Sequence, residues 1–174
     1  AAIAAQMRRV LHDPAFQALE ANWRGIDRLV RDLELDESLQ LHLLDATRED
    51  LTQDIASHAA DLARSRLHFH LCGPQTEAPD AQRWSLLVSD LAFGADLDEL
   101  RLLAALGAMA GRAGAPLLAE ARPTLVGCTR IDELVEPKAW RAPDGDAAAF
   151  WTALRESAVA PWIGLALPRI LARQ

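Results

Sequence analysis

The sequence predicts an α/β fold: a single domain over residues 1–174, with a partly parallel sheet built from strand-helix-strand crossovers and flanked by helices. An apolar stripe with helical spacing follows the N-terminus, and two short apolar runs further on are typical of strands. A capped helical segment separates the two runs, and this order implies a parallel crossover. With 174 residues, 51% of them hydrophobic, the chain is long enough to bury a core and does not fit a disordered protein.

Two helices are predicted at the N-terminal end. The first covers residues 3–12, and Asp13 followed by Pro14 is a start signal for the second, because it places a capping residue before a proline at the first helical position. Six apolar residues then recur at alternating spacings of three and four, which puts them on one stripe of the helix. They are Phe16, Leu19, Trp23, Ile26, Val30 and Leu33. We expect this stripe to lie in the core.

The next segment mixes strand and helix signals. Residues 39–43 alternate leucine with polar residues, which predicts a strand with one buried face. Thr47 and Asp50 resemble a capping box that opens a helix. Residues 67–71 fit either a short strand or the last turns of that helix, and residues 72–83 are predicted to form a loop because they contain Gly and Pro without any periodicity.

The central crossover has the clearest pattern. Residues 84–90 (WSLLVSD) and 115–121 (APLLAEA) are apolar runs typical of strands buried on both faces. Between them, residues 96–99 form a capping box for a helix that runs to about Ala113, and Gly114 stands where a helix terminator belongs. The rest of the chain is predicted to hold short elements at 124–127 and 131–135, a helix at 146–157 and a turn at 167–169.

Composition excludes several classes of function. The formal charge of −7 argues against a nucleic-acid-binding surface or a polybasic membrane anchor. Cys72 and Cys128 are too few for a disulfide framework and lack metal-ligand spacing, so we expect small buried hydrophobes in a reducing, cytoplasmic compartment. No apolar run reaches the roughly 18 residues that a membrane-spanning helix needs.

Candidate sites for chemistry are few. His68 and His70 could share a face on a strand, but no third ligand for a metal ion lies near them in sequence. Asp90 ends a predicted parallel strand, where open α/β sheets often bind ligands, and it could equally bond loop amides. The chain has no glycine-rich phosphate loop and no nucleophile elbow. We therefore predict no catalytic, cofactor-binding or metal site.

Two long segments resemble the large sheath subunit of bacterial type VI secretion systems, the TssC/VipB family. Residues 13–25 (DPAFQALEANWRG) resemble its "hP-x-FQALEA-x-WRG" stretch, and residues 151–169 (WTALRESAVAPWIGLALPR) are similar to its "W-x-x-[FL]RES…Y[VI]GL-x-LPR" segment. Between them, residues 87–93 look like "L[LI]GDYEF" and residues 113–121 like "AHAPFIAAA". The four segments follow the family's order along nearly the whole chain.

The resemblance implies a structural protein rather than an enzyme, without a cofactor, and located in the cytoplasm. Such a subunit pairs with a small sheath subunit, and it stacks with other copies of the large subunit into a tube whose contraction propels an inner tube. A recycling unfoldase and the inner tube are indirect partners, and neither nucleic acid nor membrane insertion is expected. The motif residues carried over as structural are Trp23, Arg24, Gly25, Asp90, Phe93, Pro116, Arg155, Glu156, Pro168 and Arg169.

These residues suggest architectural roles. We expect Trp23 in the core, Gly25 at a close helix contact, and Arg24 off the apolar stripe and free to form an ion pair, while Arg155 could bridge to a carboxylate elsewhere in the fold.

The sequence departs from the family pattern in places. Residues 89–93 read SDLAF where the family has GDYEF, and Trp162 stands where it has tyrosine. The "LPYG" continuation is missing from the last residues, and the family's large subunits are much longer, so we expect a fragment of such a subunit. Two alternatives stay open: a short stand-alone adaptor derived from the subunit, or a small α/β ligand-binding domain that uses Asp90.

Overall fold

The computed structural model describes residues 2–73, 83–130, 132–133 and 137–167. The chain divides into two compact units, Ala1–Asp45 and Ala46–Gln174. The described residues form six α-helices and a three-stranded parallel sheet, so the predicted α/β class is confirmed. The single domain over residues 1–174 stays a prediction.

The first unit contains helices α1 (Ala2–Leu11) and α2 (Pro14–Asp32). The Asp13 carboxylate accepts hydrogen bonds from the backbone N–H groups of Ala15 at 2.9 Å and Phe16 at 3.2 Å. Both predicted helices and the predicted start signal are therefore confirmed.

The expectation that the α2 stripe lies in the core is wrong. No residue of α2 is buried, and 58% of Trp23 is exposed. An amphipathic helix buries its stripe only against a second layer of structure. Within this unit α2 is followed, at residues 33–45, by described chain that forms neither helix nor strand.

The predicted strand at residues 39–43 is also wrong. Leu39, Leu41 and Leu43 are all exposed and belong to irregular chain. The preceding turn is held by Asp36, whose carboxylate accepts the N–H groups of Ser38 at 2.7 Å and Leu39 at 3.0 Å. Alternation alone predicted a strand here, but a strand also needs a neighbour with which to pair, and none is present among the described residues.

The second unit is built on strands β1 (Leu87–Phe93), β2 (Leu117–Ala121) and β3 (Ile163–Ala166). Their order is β1-β2-β3, and β2 pairs in parallel with both neighbours, so the predicted parallel crossover is confirmed. The sequence did not predict β3, because its four residues (IGLA) include a glycine and are too few to show alternation.

The second unit contains four α-helices. They are α3 (Arg48–Ser57), α4 (Arg66–Cys72), α5 (Leu97–Ala113) and α6 (Gly145–Glu156), and α5 connects β1 to β2. The Asp96 carboxylate accepts the N–H groups of Asp98 and Glu99 at the start of α5, and Gly114 ends the helix with a left-handed φ of 71°. The predicted start and end of α5 are both confirmed, but the predicted capping box is incomplete, because the Glu99 carboxylate accepts the Gly94 N–H.

The remaining helices settle other predictions. Thr47 and Asp50 form a reciprocal capping box at the start of α3, as predicted. Neither alternative for residues 67–71 is correct, because these residues form a separate helix, α4, whereas α3 already ends at Ser57. The Asp54 carboxylate supports the start of α4 by accepting the N–H groups of Arg66 at 3.1 Å and Leu67 at 3.0 Å. The predicted helix at 146–157 is α6, and the short element at 124–127 is a 3₁₀ turn at Pro123–Val126.

The core of the second unit lies between the helices and one face of the sheet. Its buried members include Phe93, Leu103, Met109, Ala119 and Leu154. A Cβ atom added at Gly107 would lie 2.6 Å from the Ile163 side chain, so α5 approaches β3 closely at this glycine. Cys128 is buried, as predicted, whereas Cys72 is only half-buried, so the prediction is wrong for Cys72.

The expectation that β1 and β2 are buried on both faces is wrong. Val88 is 69% exposed and its register partner Leu118 is 43% exposed, while the alternate residues Leu117 and Ala119 are buried. In the described part of the chain the helices cover one face of the sheet, and the other face is open. Most of the predicted loop at 72–83, of the element at 131–135 and of the turn at 167–169 lies outside the described residues.

Candidate interaction surface

The first family-like segment lies on α2, where its residues are exposed. The Arg24 guanidinium donates two hydrogen bonds to Glu20 Oε1, at 2.8 Å from Nε and 2.6 Å from Nη2, so the expected ion pair is present. A Cβ atom at Gly25 would meet no other described part of the structure within 4 Å. The expected close approach at Gly25 is therefore wrong within the described part of the first unit.

The charged side of α2 is paired within the helix. Arg31 binds Asp27 at 2.9 Å and Arg28 binds Asp32 at 3.2 Å, each four residues away, as Arg24 does with Glu20. Exposed pairs of this kind stabilise a helix by about 0.2–0.5 kcal/mol each. The apolar stripe is the side of α2 that would gain free energy from packing, because burial would remove its apolar surface from water.

Most side chains of that stripe are exposed. Five of its six residues are among the exposed large hydrophobic side chains of the chain, and Ile26 is half-buried. The five are Phe16, Leu19, Trp23, Val30 and Leu33. Exposed apolar side chains that line one side of a helix mark an interaction site more often than scattered exposed residues do.

The middle family-like segments lie inside the second unit. Phe93 is completely buried, and the Arg48 guanidinium lies 5.3 Å from the centre of its ring. Arg48 also donates to the Ala92 carbonyl at 2.7 Å, so one cation fixes the end of β1 from two sides. The Pro116 carbonyl accepts the Leu87 N–H at 2.9 Å and sets the register of β1 on β2.

The last family-like segment is described only in part. Arg155 and Glu156 are exposed near the end of α6, and Arg155 lines a shallow pocket of about 320 Å³ with Trp151 and Ile163 among its walls. Arg155 forms no ion pair with any residue that the structure describes, so its bridge to a carboxylate stays a prediction. Pro168 and Arg169 lie outside the described residues.

Asp90 does not occupy the position predicted for a ligand-binding residue. It lies within β1, which continues to Phe93, so it is not at the carboxyl end of the strand. Its side chain is exposed on the open face of the sheet. Asp96 is the cap of α5, and Asp98 binds Arg101 at 3.0 Å. The prediction that Asp96 caps a helix is therefore confirmed.

An ion pair lies at the carboxyl ends of β1 and β2. Glu99 pairs with Arg122, and it also accepts the Gly94 N–H at 2.6 Å. The Ala95 N–H donates to the Thr124 hydroxyl at 3.1 Å. Sequence reasoning missed this cluster because its partners are 23 residues apart and no local pattern links them.

The described residues offer little for metal or membrane chemistry. His68 and His70 lie on α4, where residues two apart point in different directions, so the shared face needed for a metal pair is absent. Within the described ranges no group of three or more His, Cys, Asp or Glu side chains could hold a metal ion. Nor is any helix there long and apolar enough to cross a bilayer.

Burial is the largest single influence on the pKa of Asp54 and raises it, but the opposing influences together outweigh burial and leave the pKa below the ordinary value for an aspartate. The N–H donors of Leu67 and Arg66 stabilise the charged carboxylate, and nearby His58 adds to them. The role of this carboxylate is structural, because it fixes the start of α4 against α3.

Comparison with known proteins gives two matches. Residues 1–174 match the VipB family model, described as the EvpB/VC_A0108 tail sheath N-terminal domain. The chain is also 29% identical over 178 residues to the type VI secretion system sheath protein TssC1 of Pseudomonas aeruginosa. This second match covers 99% of the chain and 35% of the relative, so the chain spans about a third of that protein's length.

Proposed function

Because the chain belongs to the VipB family of tail sheath N-terminal domains, we propose that it is a structural part of the contractile sheath of a type VI secretion system. The observation that carries this proposal is the family match over residues 1–174, together with the similarity to a sheath protein that extends over nearly the whole chain. The chain then supplies the N-terminal portion of a large sheath subunit.

In this role the chain pairs with the small sheath subunit and stacks with other copies of the large subunit into a tube. Contraction of that tube propels an inner tube, and the work comes from the difference in packing between the extended and contracted states. The protein acts in the cytoplasm and has no catalytic role and no cofactor. A recycling unfoldase and the inner tube meet it only through the assembled sheath.

The exposed stripe on α2 supports a role in assembly. A helix with no buried residue and an apolar side of this extent gains stability by packing against another chain. The ion pair between Glu99 and Arg122 closes the sheet end where α/β proteins often bind small ligands, which favours an architectural role for the second unit over a ligand-binding one.

Co-expression tests the proposal. The chain, expressed within its natural coding sequence, is produced together with the small sheath subunit from the same genome, and the lysate is sedimented. We expect both proteins to copurify and to pellet as tubular particles visible by electron microscopy. A chain that stays small and never associates with the small subunit would contradict the proposal and favour a stand-alone adaptor.

A further inference from the structure

The open face of the sheet has an apolar part and an acidic part. Val88 and its register partner Leu118 form the apolar part, and both are exposed. A Cβ atom at Gly164 would lie 2.4 Å from Leu118 Cδ2, so the leucine side chain extends across β3. Further along the strands, the same face carries Asp90 and Glu120. We call these five residues the open-face patch.

A parallel sheet normally has structure packed on both faces. Parallel strands occur almost only where both faces are covered, because their apolar side chains project to both sides. Helices α5 and α6 pack on the face where Leu117 and Ala119 are buried. On the other face Val88 is 69% exposed. Among the described residues the open-face patch therefore lacks a covering layer.

Glu120 indicates which charge that layer brings. It is half-buried, and its side chain forms no hydrogen bond or ion pair with any residue that the structure describes. A layer packed on the sheet would remove more water from this carboxylate, and burying an unpaired charge is costly. Exposed Asp90 adds a second negative charge to the same face. The covering layer therefore needs Lys or Arg opposite Glu120.

A second copy of this chain does not provide such a layer. Two open faces packed on each other would place Asp90 and Glu120 either against the same carboxylates of the other copy or against its Val88 and Leu118. The first arrangement brings like charges together, and the second buries carboxylates against apolar side chains. Both are unfavourable, so self-association through this face is disfavoured.

The strand order shows how the same subunit can cover the patch. The chain passes from β1 to β2 to β3 in one direction across the sheet, and right-handed crossovers in one direction place all their helices on one face. A right-handed crossover on the other face has to run from β3 back towards β1, as in doubly wound sheets. A later helix of the same subunit can therefore cover the patch and still obey the handedness rule.

A sheath subunit has enough further chain for this helix. The family model describes an N-terminal domain, and the match to TssC1 covers 35% of that relative, so about two thirds of the relative lies outside the match. We propose that an amphipathic helix from the part of the large sheath subunit that follows this domain packs on the open-face patch. That helix places apolar side chains over Val88 and Leu118 and Lys or Arg opposite Glu120. The inference rests on the proposed function, because it takes the chain as the N-terminal portion of a longer subunit.

Site-specific photo-crosslinking tests the arrangement. Benzoylphenylalanine is placed at Val88 or at Leu118 in the full natural chain, which is co-expressed with the small sheath subunit and irradiated. The matched control position is Arg101, which is 60% exposed on α5 and therefore lies on the other side of the sheet. From both patch positions we expect mass spectrometry to identify one helical peptide of the same chain, located after residue 174 and containing Lys or Arg. The control should not crosslink to it.

A charge exchange tests the acidic part of the patch. Glu120→Lys places a positive charge opposite the inferred basic residue, whereas Glu120→Gln removes the charge and keeps the shape. We expect Glu120→Lys to lower the thermal unfolding midpoint of the full subunit by about 4 °C or more, and Glu120→Gln to lower it less. Changing the basic residue of the crosslinked peptide to Glu should restore at least half of the midpoint lost in Glu120→Lys.

Four outcomes would overturn the inference. Patch crosslinks that lead only to residues 1–174, or only to another subunit, would show that the covering layer comes from elsewhere. Equal crosslinking of the same peptide from Arg101 would show that the open face does not define the contact. Assembled sheaths without any crosslink from the patch would show that the face stays uncovered, and a failed charge exchange would reject the basic partner. Each of these leaves the proposed function standing, whereas failure of the parent chain to coassemble with the small subunit rejects both.

Discussion

Glu99 and Arg122 form an ion pair that joins the first turn of α5 to the residue directly after β2. Glu99 also accepts the Gly94 N–H, and the Arg122 N–H donates to the Phe93 carbonyl at 2.7 Å. The carboxyl ends of β1 and β2 are thereby tied to each other and to the helix that connects them. Because Glu99 is 17% exposed and Arg122 is 47% exposed, the carboxylate is the better shielded partner.

We expect Glu99→Ala to destabilise the second unit by about 1–3 kcal/mol, since it leaves the Gly94 N–H without its acceptor and Arg122 without its partner. Asp98→Ala is the control, because Asp98 is 84% exposed and pairs with Arg101 on the helix surface. Denaturant unfolding followed by circular dichroism measures both. Equal effects of the two substitutions would contradict a structural role for the Glu99 pair.

The close contact of α5 with β3 predicts an unusual response to alanine. At most helix positions Gly→Ala is stabilising, but at Gly107 the new Cβ would meet Ile163 and Val159, so we expect a loss of about 1–3 kcal/mol. Gly25→Ala is the matched case, because the Cβ enters open space, and it should raise the helicity of α2. Thermal unfolding curves and helix content would check the pair, and stabilisation by Gly107→Ala would refute the contact.

The pKa of Asp54 predicts acid sensitivity. Its folded-state pKa lies below its unfolded value of about 4, so the stability that it contributes is present above that value and is lost as the pH falls through the folded pKa. We expect Asp54→Asn to flatten the decline of unfolding free energy between about pH 5 and pH 2. Urea titrations at a series of pH values measure it. If the unfolding free energy of the variant depends on pH as steeply as that of the parent, ionisation of Asp54 does not contribute to stability as predicted.

Trp23 and Leu103 should behave in opposite ways when truncated. Leu103→Ala removes a completely buried side chain and should lower the stability of the second unit by about 2–5 kcal/mol. Trp23→Ala removes a side chain that is 58% exposed, so the helical content and the unfolding of the first unit should not change. A large loss of stability for Trp23→Ala would restore the core position that the sequence suggested.

Local signals in the sequence predicted the helices well. The caps at Asp13, Thr47 and Asp96, and the terminator Gly114, depend on residues within one turn of one another, so a linear pattern contains all the information. The parallel crossover could be predicted from the order of its elements, because two neighbouring strands that are connected through a helix usually pair in parallel.

Predictions that needed knowledge of distant neighbours were less successful. The stripe on α2 has the period of a buried face, but the period does not say which molecule buries it, and in this chain Trp23 is exposed. Phe93 was identified by motif, yet its contact with Arg48 joins residues too far apart for any local pattern to reveal. The exposed Val88 likewise depends on which face of the sheet the helices cover.

The central claim, that the chain is part of a contractile sheath, is tested most directly in the source cells. An antibody against the chain is used to follow it through fractionation of wild-type cells and of cells that lack the small sheath subunit. We predict that the antigen pellets with tubular particles in the wild type and leaves the pellet in the deletion strain. An antigen that stays in the supernatant of wild-type cells, apart from the small sheath subunit, would contradict the claim.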